Sequence, residues 1–228
     1  MSAMTVERLG DGLWRWTAPH PGWREGGGWD PDVGSVYCET PEAIILIDPL
    51  VPGLGPDRDR FWRALDGDVA RLALPVVVLL TCRWHVRSAD LVRHRYGARI
   101  LGPSGAGPGL ADVGAVAVGD RDWPVAGIQA LASGMPAPEE ELLYWIPAHA
   151  ALVPGDVVLG GDPSGLRIAP ADWYEDSAEE RAWYAGGLRE RLGRLVDLAP
   201  RMVLVAHGEP VRDGGAAALR AALEATSG

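Results

Sequence analysis

The stretch Val76–Ala89, VVVLLTCRWHVRSA, limits what this chain can become more than any other. Unbroken Val and Leu after Pro75 read as a strand buried on both faces. In α/β architectures the sheet pre-positions side chains that leave the carboxyl end of such a strand, and ligands collect there. That end delivers Thr81, Cys82, Arg83, Trp84 and His85.

The rest of the first half alternates strands and helices around this run. Val6–Ala18 alternates loosely about Leu13, Trp14 and Trp16 and predicts a first hairpin strand. Pro19–Gly34, PHPGWREGGGWDPDVG, is too rich in Gly and Pro for a regular element. It is a loop, in which Trp23 and Trp29 either cover a pocket as a lid or pin the loop to the surface. Ser35–Thr40 and Ala43–Asp48 predict two strands turned about Pro41, the second ending on Asp48. Asp57–Leu65 opens with acids and carries Phe61, Trp62 and Leu65 at helical spacing. Arg87–Tyr96 predicts another helix closed by Gly97, and Ala98–Leu101 a short strand.

In the second half, strands are expected at Ala115–Val118, Val125–Ala132, Glu141–Ile146 and Ala151–Val153, the last two turned around Pro147–Ala150. Asp176–Leu198 predicts one long amphipathic helix ending before Pro200. Met202–Ala206 reads as a strand delivering His207, and Ala216–Ala225 as a closing helix. No repeat or linker interrupts the chain, so one domain over residues 1–228 is expected.

Composition removes whole classes of function. Hydrophobic residues at 47% and charged residues at 23% are ordinary for a soluble globular chain. A net charge of −10, with no Lys and scattered Arg, argues against a basic nucleic-acid surface. No apolar stretch approaches the roughly twenty residues that cross a bilayer. Met1–Gly10 lacks the basic start and apolar run of a signal peptide, and Cys38 and Cys82 are the only cysteines. A cytoplasmic protein with reduced thiols is expected. Its partner is a small-molecule substrate or ligand, with a homodimer left open, and neither nucleic acid nor a membrane.

Four segments, ILIDPL at Ile45–Leu50, VLLT at Val78–Thr81, GDVVLGG at Gly155–Gly161 and VAHGEPV at Val205–Val211, resemble the metallo-β-lactamase superfamily. With the order of elements, the resemblance runs from about Ser35 to the C-terminus. It implies an α/β (α+β) fold, an αββα four-layer sandwich of two mixed β-sheets with helices outside, and one or two metal ions at one edge. It also implies a hydrolase of lactams, thioesters, lactones or phosphodiesters. On this resemblance Asp156 matches a carboxylate able to bridge ions, and His207 an imidazole that serves zinc through a neutral ring nitrogen. Asp48 matches an acid that orients a ligand without touching metal.

The family signature T-H-x-H-x-D-H is degenerate here, reading Thr81-Cys82-Arg83-Trp84-His85-Val86-Arg87. Counted forward from Thr81, Cys82 and Trp84 take the first two His positions, Val86 the Asp and Arg87 the last His. Counted back from Ser88-Ala89, which resemble the start of the family's helix, His85 takes the last His in a loop shortened by two. The second count is preferred, because a packed helix start is harder to change than a loop length. Downstream, Ser133-Gly134-Met135-Pro136 puts Met135 where the family carries a His, and a thioether is a poor zinc ligand. The surviving set is His85, Asp156 and His207, with water or Cys82 completing a tetrahedron around at most one Zn2+ or other divalent ion. An open fourth position is the arrangement that lowers the pKa of water to about 7.

Two functions therefore stand. One is a hydrolase of a small ester, thioester or lactone, with Asp156 and His85 in the catalytic group. The other is a metal-free pseudoenzyme whose pocket binds a small molecule or a partner protein. Arg83 and Arg87 would oppose a cation, or pair with Asp156 in its place. Each residue also has a plain structural role open to it: Asp156 as a turn cap, His207 bonded to backbone, His85 as a satisfied loop histidine. Cys82 as a nucleophile with His85 as base is a further chemistry, although no orienting third group is visible. Thr81, Trp173 and Tyr174 are expected near the pocket, the last two within Asp172–Glu175, where the family carries an active-site loop. His20, His94 and His149 read as surface or turn residues, and Trp14, Trp16, Trp62, Trp123, Trp145 and Trp183 as core.

Overall fold

The central strands are apolar along their whole length, and successive side chains of each go to opposite layers. The computed structural model describes residues 3–104, 109–137, 140–161, 165–174 and 177–225. Strands β1 (Thr5–Gly10), β2 (Leu13–Pro19), β3 (Asp32–Glu39) and β4 (Ile44–Ile47) pair antiparallel in succession. Helix α1 (Pro56–Leu72) leads to β5 (Val76–Leu79), and α2 (Ala89–Tyr96) leads to β6 (Arg99–Pro103) and β7 (Val116–Val118). These three strands extend the sheet in parallel from β4, giving a seven-stranded mixed sheet in sequence order.

The second half supplies β8 (Gln129–Ala132), β9 (Leu142–Ile146) and β10 (Ala151–Val153), then a separate hairpin, β11 (Val158–Gly161) with β12 (Gly165–Ile168). Helices α3 (Ala178–Ala182) and α4 (Leu188–Val196) follow, then β13 (Met202–Val203) and α5 (Gly215–Ala225). β13 joins β10 in parallel, and the second sheet runs β13-β10-β9-β8.

Ile45, Ile47, Val77 and Leu79 face inward against Leu142, Tyr144, Ile146 and Val153 of the second sheet. The alternate residues Ile44, Leu46, Val76 and Val78 face outward onto Phe61 and Leu65 of α1 and Val92 of α2. On the far side Leu143, Trp145 and Leu152 meet Leu188, Leu192 and Leu195 of α4 and Leu219 of α5. These three apolar layers make an αββα sandwich, the architecture expected. Sequence signals set the helix ends: Pro56 starts α1 with Asp57 and Asp59 in its first turn, and Ala73 in a left-handed conformation closes it.

Several elements differ in extent from the sequence expectation. β3 begins at Asp32, two positions before the end of the expected loop at Gly34, because Pro19 still pairs with Asp32 across β2. Helix α1 runs on to Leu72, well past Leu65. The expected helix from Asp176 to Leu198 is two helices separated by a π-helical turn, Trp183–Gly187, where Gly186 and Gly187 relax the ladder. Asp176 and Glu175 lie outside the described residues. The strand expected over Met202–Ala206 is short because the chain changes partners. Leu204 N–H still bonds to Leu152 O at 2.8 Å, but Ala206 O accepts from Gly34 and His207 bridges Val33. Trp123, expected in the core, is 55% exposed, since it sits in the turn before β8.

This change of partner brings the His207 loop against β11. Gly160 N–H bonds to His207 O at 2.8 Å, and a Cβ on Gly160 would meet Glu209 O at 2.6 Å and Gly208 C at 2.8 Å. Gly160→Ala should cost about 1–3 kcal/mol by forcing two backbones apart. Gly193→Ala, in α4 with nothing within 4 Å, should instead stabilise by about 0.5–1 kcal/mol. Urea midpoints of the two variants check both signs.

Candidate functional site

The site forms where β4, β5 and the first strands of the second sheet end at the same edge. Asp48 follows β4 with a positive φ of 49°, and its N–H bonds to Leu79 O at 3.0 Å. Its Oδ1 accepts from Thr81 N–H at 2.8 Å, and its Oδ2 accepts from Thr81 Oγ1 at 2.6 Å and lies 2.9 Å from His85 Nδ1. A 3-10 turn over Arg83–Val86 directs the His85 ring into the protein. The second sheet is tied in here, with Leu142 N–H bonded to Thr81 O and Tyr144 Oη–H to Leu80 O.

With Nδ1 held by Asp48, the His85 Nε2 atom points at Asp156 Oδ2, 3.3 Å away. His207 Nε2 lies 3.4 Å from the other oxygen, Oδ1. Asp156 is placed by Gly155, whose φ of 63° favours glycine and whose Cβ would meet Glu141 Oε2 at 2.9 Å and Thr81 Cβ at 3.1 Å. Asp156 N–H donates to Glu141 Oε2 at 3.0 Å, and Tyr174 Oη is 3.4 Å from Glu141 Oε1. Cys82, His85 and Asp156 each offer a donor atom within 4.8 Å of the others.

Electrostatics at this edge is set by burial and by the opposed charges. For His85, burial and Arg87 oppose protonation, but Asp156, Cys82 and Asp48 outweigh them and raise its pKa well above the ordinary value. Burial works against the Asp156 carboxylate, yet His85, His207 and Arg87 hold it well below the usual range. Burial and the Asp156 charge push Glu141 upward. Burial takes His207 down to about 4 and the Cys82 thiol up to about 12. Arg87 is half-buried, and its Nη1 donates to Gly34 O at 2.9 Å and Asp48 O at 3.0 Å, not to Asp156.

A cavity of about 420 Å³ opens above these groups. Its wall includes Trp29, Trp84, Trp173 and Tyr174, with Met135 buried beneath. Trp29 packs edge-on against His207 at 5.3 Å, while Trp23 Nε1–H bonds to Trp29 O at 2.8 Å. Of the two loop tryptophans, Trp29 alone reaches the cavity wall. Trp84 is 49% exposed and lies under Arg83, whose Cζ is 3.8 Å from the ring centre.

Comparison with known structures decides the fold. No protein-family model matches the sequence, and no curated protein matches it. The chain is similar to FIM-1 metallo-β-lactamase from Pseudomonas aeruginosa in its mono-zinc form, at 10% identity over 99% of this chain and 97% of that one, TM-score 0.65. It is similar to a metallo-β-lactamase from Erythrobacter litoralis at 16% identity over 97% and 91%, TM-score 0.62. A metallo-β-lactamase family protein from Thermus thermophilus matches at 16% identity over 96% and 81%, TM-score 0.61. The chain has the metallo-β-lactamase fold.

Within the metallo-β-lactamase fold, the structure gathers Asp48, Thr81, Cys82, His85, Asp156 and His207 into one buried cluster at the sheet edge. Arg83, Trp84, Met135, Trp173 and Tyr174 stand around it. Sequence reading took Glu141 only as the first residue of a strand, Glu141–Ile146, and gave it no place at the site, where it is fully buried beside Asp156. It also placed His20 at the surface. His20 instead lines the cavity, 5.2 Å from Trp29. A Gly/Pro-rich loop carrying two tryptophans was the available signal.

Asp48→Ala leaves the Thr81 N–H and hydroxyl and the His85 ring without their acceptor, and should cost about 3–5 kcal/mol in a denaturant titration. Asp48→Asn should cost less. Both cysteines are 1% exposed, so the native protein should react with no equivalent of a water-soluble disulfide reagent at mildly alkaline pH, and with two after denaturation. A thiol titrating in the native state would contradict the burial of Cys82.

Proposed function

We propose that the protein is a hydrolase of a small ester, thioester or lactone that works with one divalent ion, zinc by preference, held by His85, Asp156 and His207. One observation carries this reading: two imidazole Nε2 atoms face the two oxygens of one carboxylate, at 3.3 and 3.4 Å, beside a cavity. Donors bound to a tetrahedral zinc at about 2.0–2.1 Å stand about 3.3 Å apart, which matches the approach of each imidazole to Asp156; Cys82, His85 and Asp156 offer donors within 4.8 Å of one another, and His207 would join them by moving toward His85. The donor set fits as well. Asp156 Oδ1 is buried with no hydrogen-bond partner among the described residues, and His207 is neutral and able to donate its lone pair.

A divalent ion in that position polarises a carbonyl and makes water a stronger acid. The chain's own groups do the remaining work. Asp48 fixes the His85 ring by accepting from Nδ1, which leaves Nε2 free to act as a donor. Arg87 offsets the adjacent carboxylates without bonding Asp156. Trp29, Trp84, Trp173 and Tyr174 offer an apolar wall for the hydrocarbon part of a substrate and keep bulk water from the carboxylate. Met135 and Trp84 offer no donor suited to zinc, which supports one ion rather than two. The mono-zinc form of FIM-1 is a precedent for a single ion in this fold.

A specific observation favours a second reading, a metal-free binding protein. His85 stands between Asp48 and Asp156 with Arg87 close by, and as an imidazolium it balances these charges with no ion present. Metal analysis of protein purified without chelator separates the two. About one zinc per chain is expected, with chelator-sensitive turnover on a panel of esters, thioesters and lactones. Asp156→Ala and His207→Ala should each lower kcat/KM by more than about 100-fold. No metal, two metals, or undiminished turnover in these variants would overturn the reading.

A further inference from the structure

We infer that Cys82 is itself a ligand to the ion, so that the site is a sulfur-containing one, selective for thiophilic metals such as zinc, cobalt and cadmium over magnesium or manganese. This rests on the metal-site reading above and extends it. Cys82 lies at the head of the 3-10 turn Arg83–Val86, and His85 N–H bonds back to Cys82 O at 3.2 Å. The thiol sulfur, a His85 ring nitrogen and an Asp156 oxygen all lie within 4.8 Å of one another. A small side-chain adjustment lets one ion reach each donor at its usual bond of about 2.0–2.3 Å.

The chemistry of the surroundings favours sulfur over water beneath the ion. Cys82 is 1% exposed and does not line the cavity, so water replacing its sulfur would have to enter the core. His207 does line the cavity, along with His85 and Asp156, so a substrate approaches from that open side. When the ion binds, the sulfur–metal bond forms as the thiol proton leaves to solvent, which accounts for a thiol here with no acidic partner of its own. The other cysteine is different: Cys38 is in the core between the sheets, with its sulfur 3.6 Å from Glu39 O.

Cobalt(II) titration of the reduced, metal-free protein tests this without reference to turnover. The wild type should take up one equivalent and show a near-ultraviolet sulfur-to-cobalt charge-transfer band together with visible d–d absorption. Cys82→Ser should lose the charge-transfer band, keep d–d absorption, and bind zinc more than about tenfold more weakly in a chelator competition. Cys38→Ser should keep the band. If cobalt binds the wild type with d–d absorption and no sulfur band, or the band survives in Cys82→Ser, the inference fails while the metal-site reading stands. If cobalt does not bind at all, both fail together. Because the wild-type spectrum alone can refute the assignment, poor folding of a variant does not shield it.

Discussion

Every placement at the sheet edge depends on the Asp48 carboxylate. It bonds the backbone and hydroxyl of Thr81, so it pins the end of β5 to the end of β4, and it faces His85 Nδ1 at 2.9 Å. A short buried acid is suited to this because its two oxygens offer about four acceptor positions in one plane. Leu142 and Tyr144 then bond the carbonyls of Thr81 and Leu80, and this fixes the second sheet to the same strand end. Without that carboxylate neither the imidazole nor the junction of the sheets has a defined position.

Burying Asp48, His85, Glu141 and Asp156 together is expensive, since each charge loses its water. The protein limits the cost by leaving few polar atoms alone. Arg87 takes up two carbonyls, Glu141 accepts from Asp156 N–H, and His85 spans two carboxylates. Among the atoms at this edge left with no hydrogen-bond partner in the described residues are Arg87 Nε, Asp156 Oδ1 and His207 Nδ1. Apolar residues of similar size would avoid the desolvation altogether.

Much of this was legible in the sequence because it depends on local pattern. The buried strand at Val76–Leu79, the acid closing β4 and the Gly-Asp turn before β11 are all carried by a few adjacent residues. Glu141 was not legible, since its burial depends on β9 lying between the first sheet and α4, a fact of tertiary packing. The division of the long helix was hidden for a related reason: Gly186 and Gly187 permit a π turn, but Trp183 Nε1–H bonded to Ser133 O helps set where it falls. His207 was expected at a strand end, yet the chain leaves β10 for β3 before reaching it, and only that exchange of partners carries the ring to Asp156.

Counted forward from Thr81, Trp84 stands where the resemblance expects a second imidazole, and the physical contrast at that position is large. An indole offers no lone pair to a cation, and here it lies under the Arg83 guanidinium at 3.8 Å, half-exposed at the cavity mouth. Met135 lies deeper in the cavity, with a polarisable but weakly donating sulfur filling the space. With Trp84 and Met135 around them, His85, Asp156 and His207 form one polar focus beside an apolar wall. A ligand entering this cavity would meet an apolar wall over most of its surface and one polar focus at the Asp156 carboxylate.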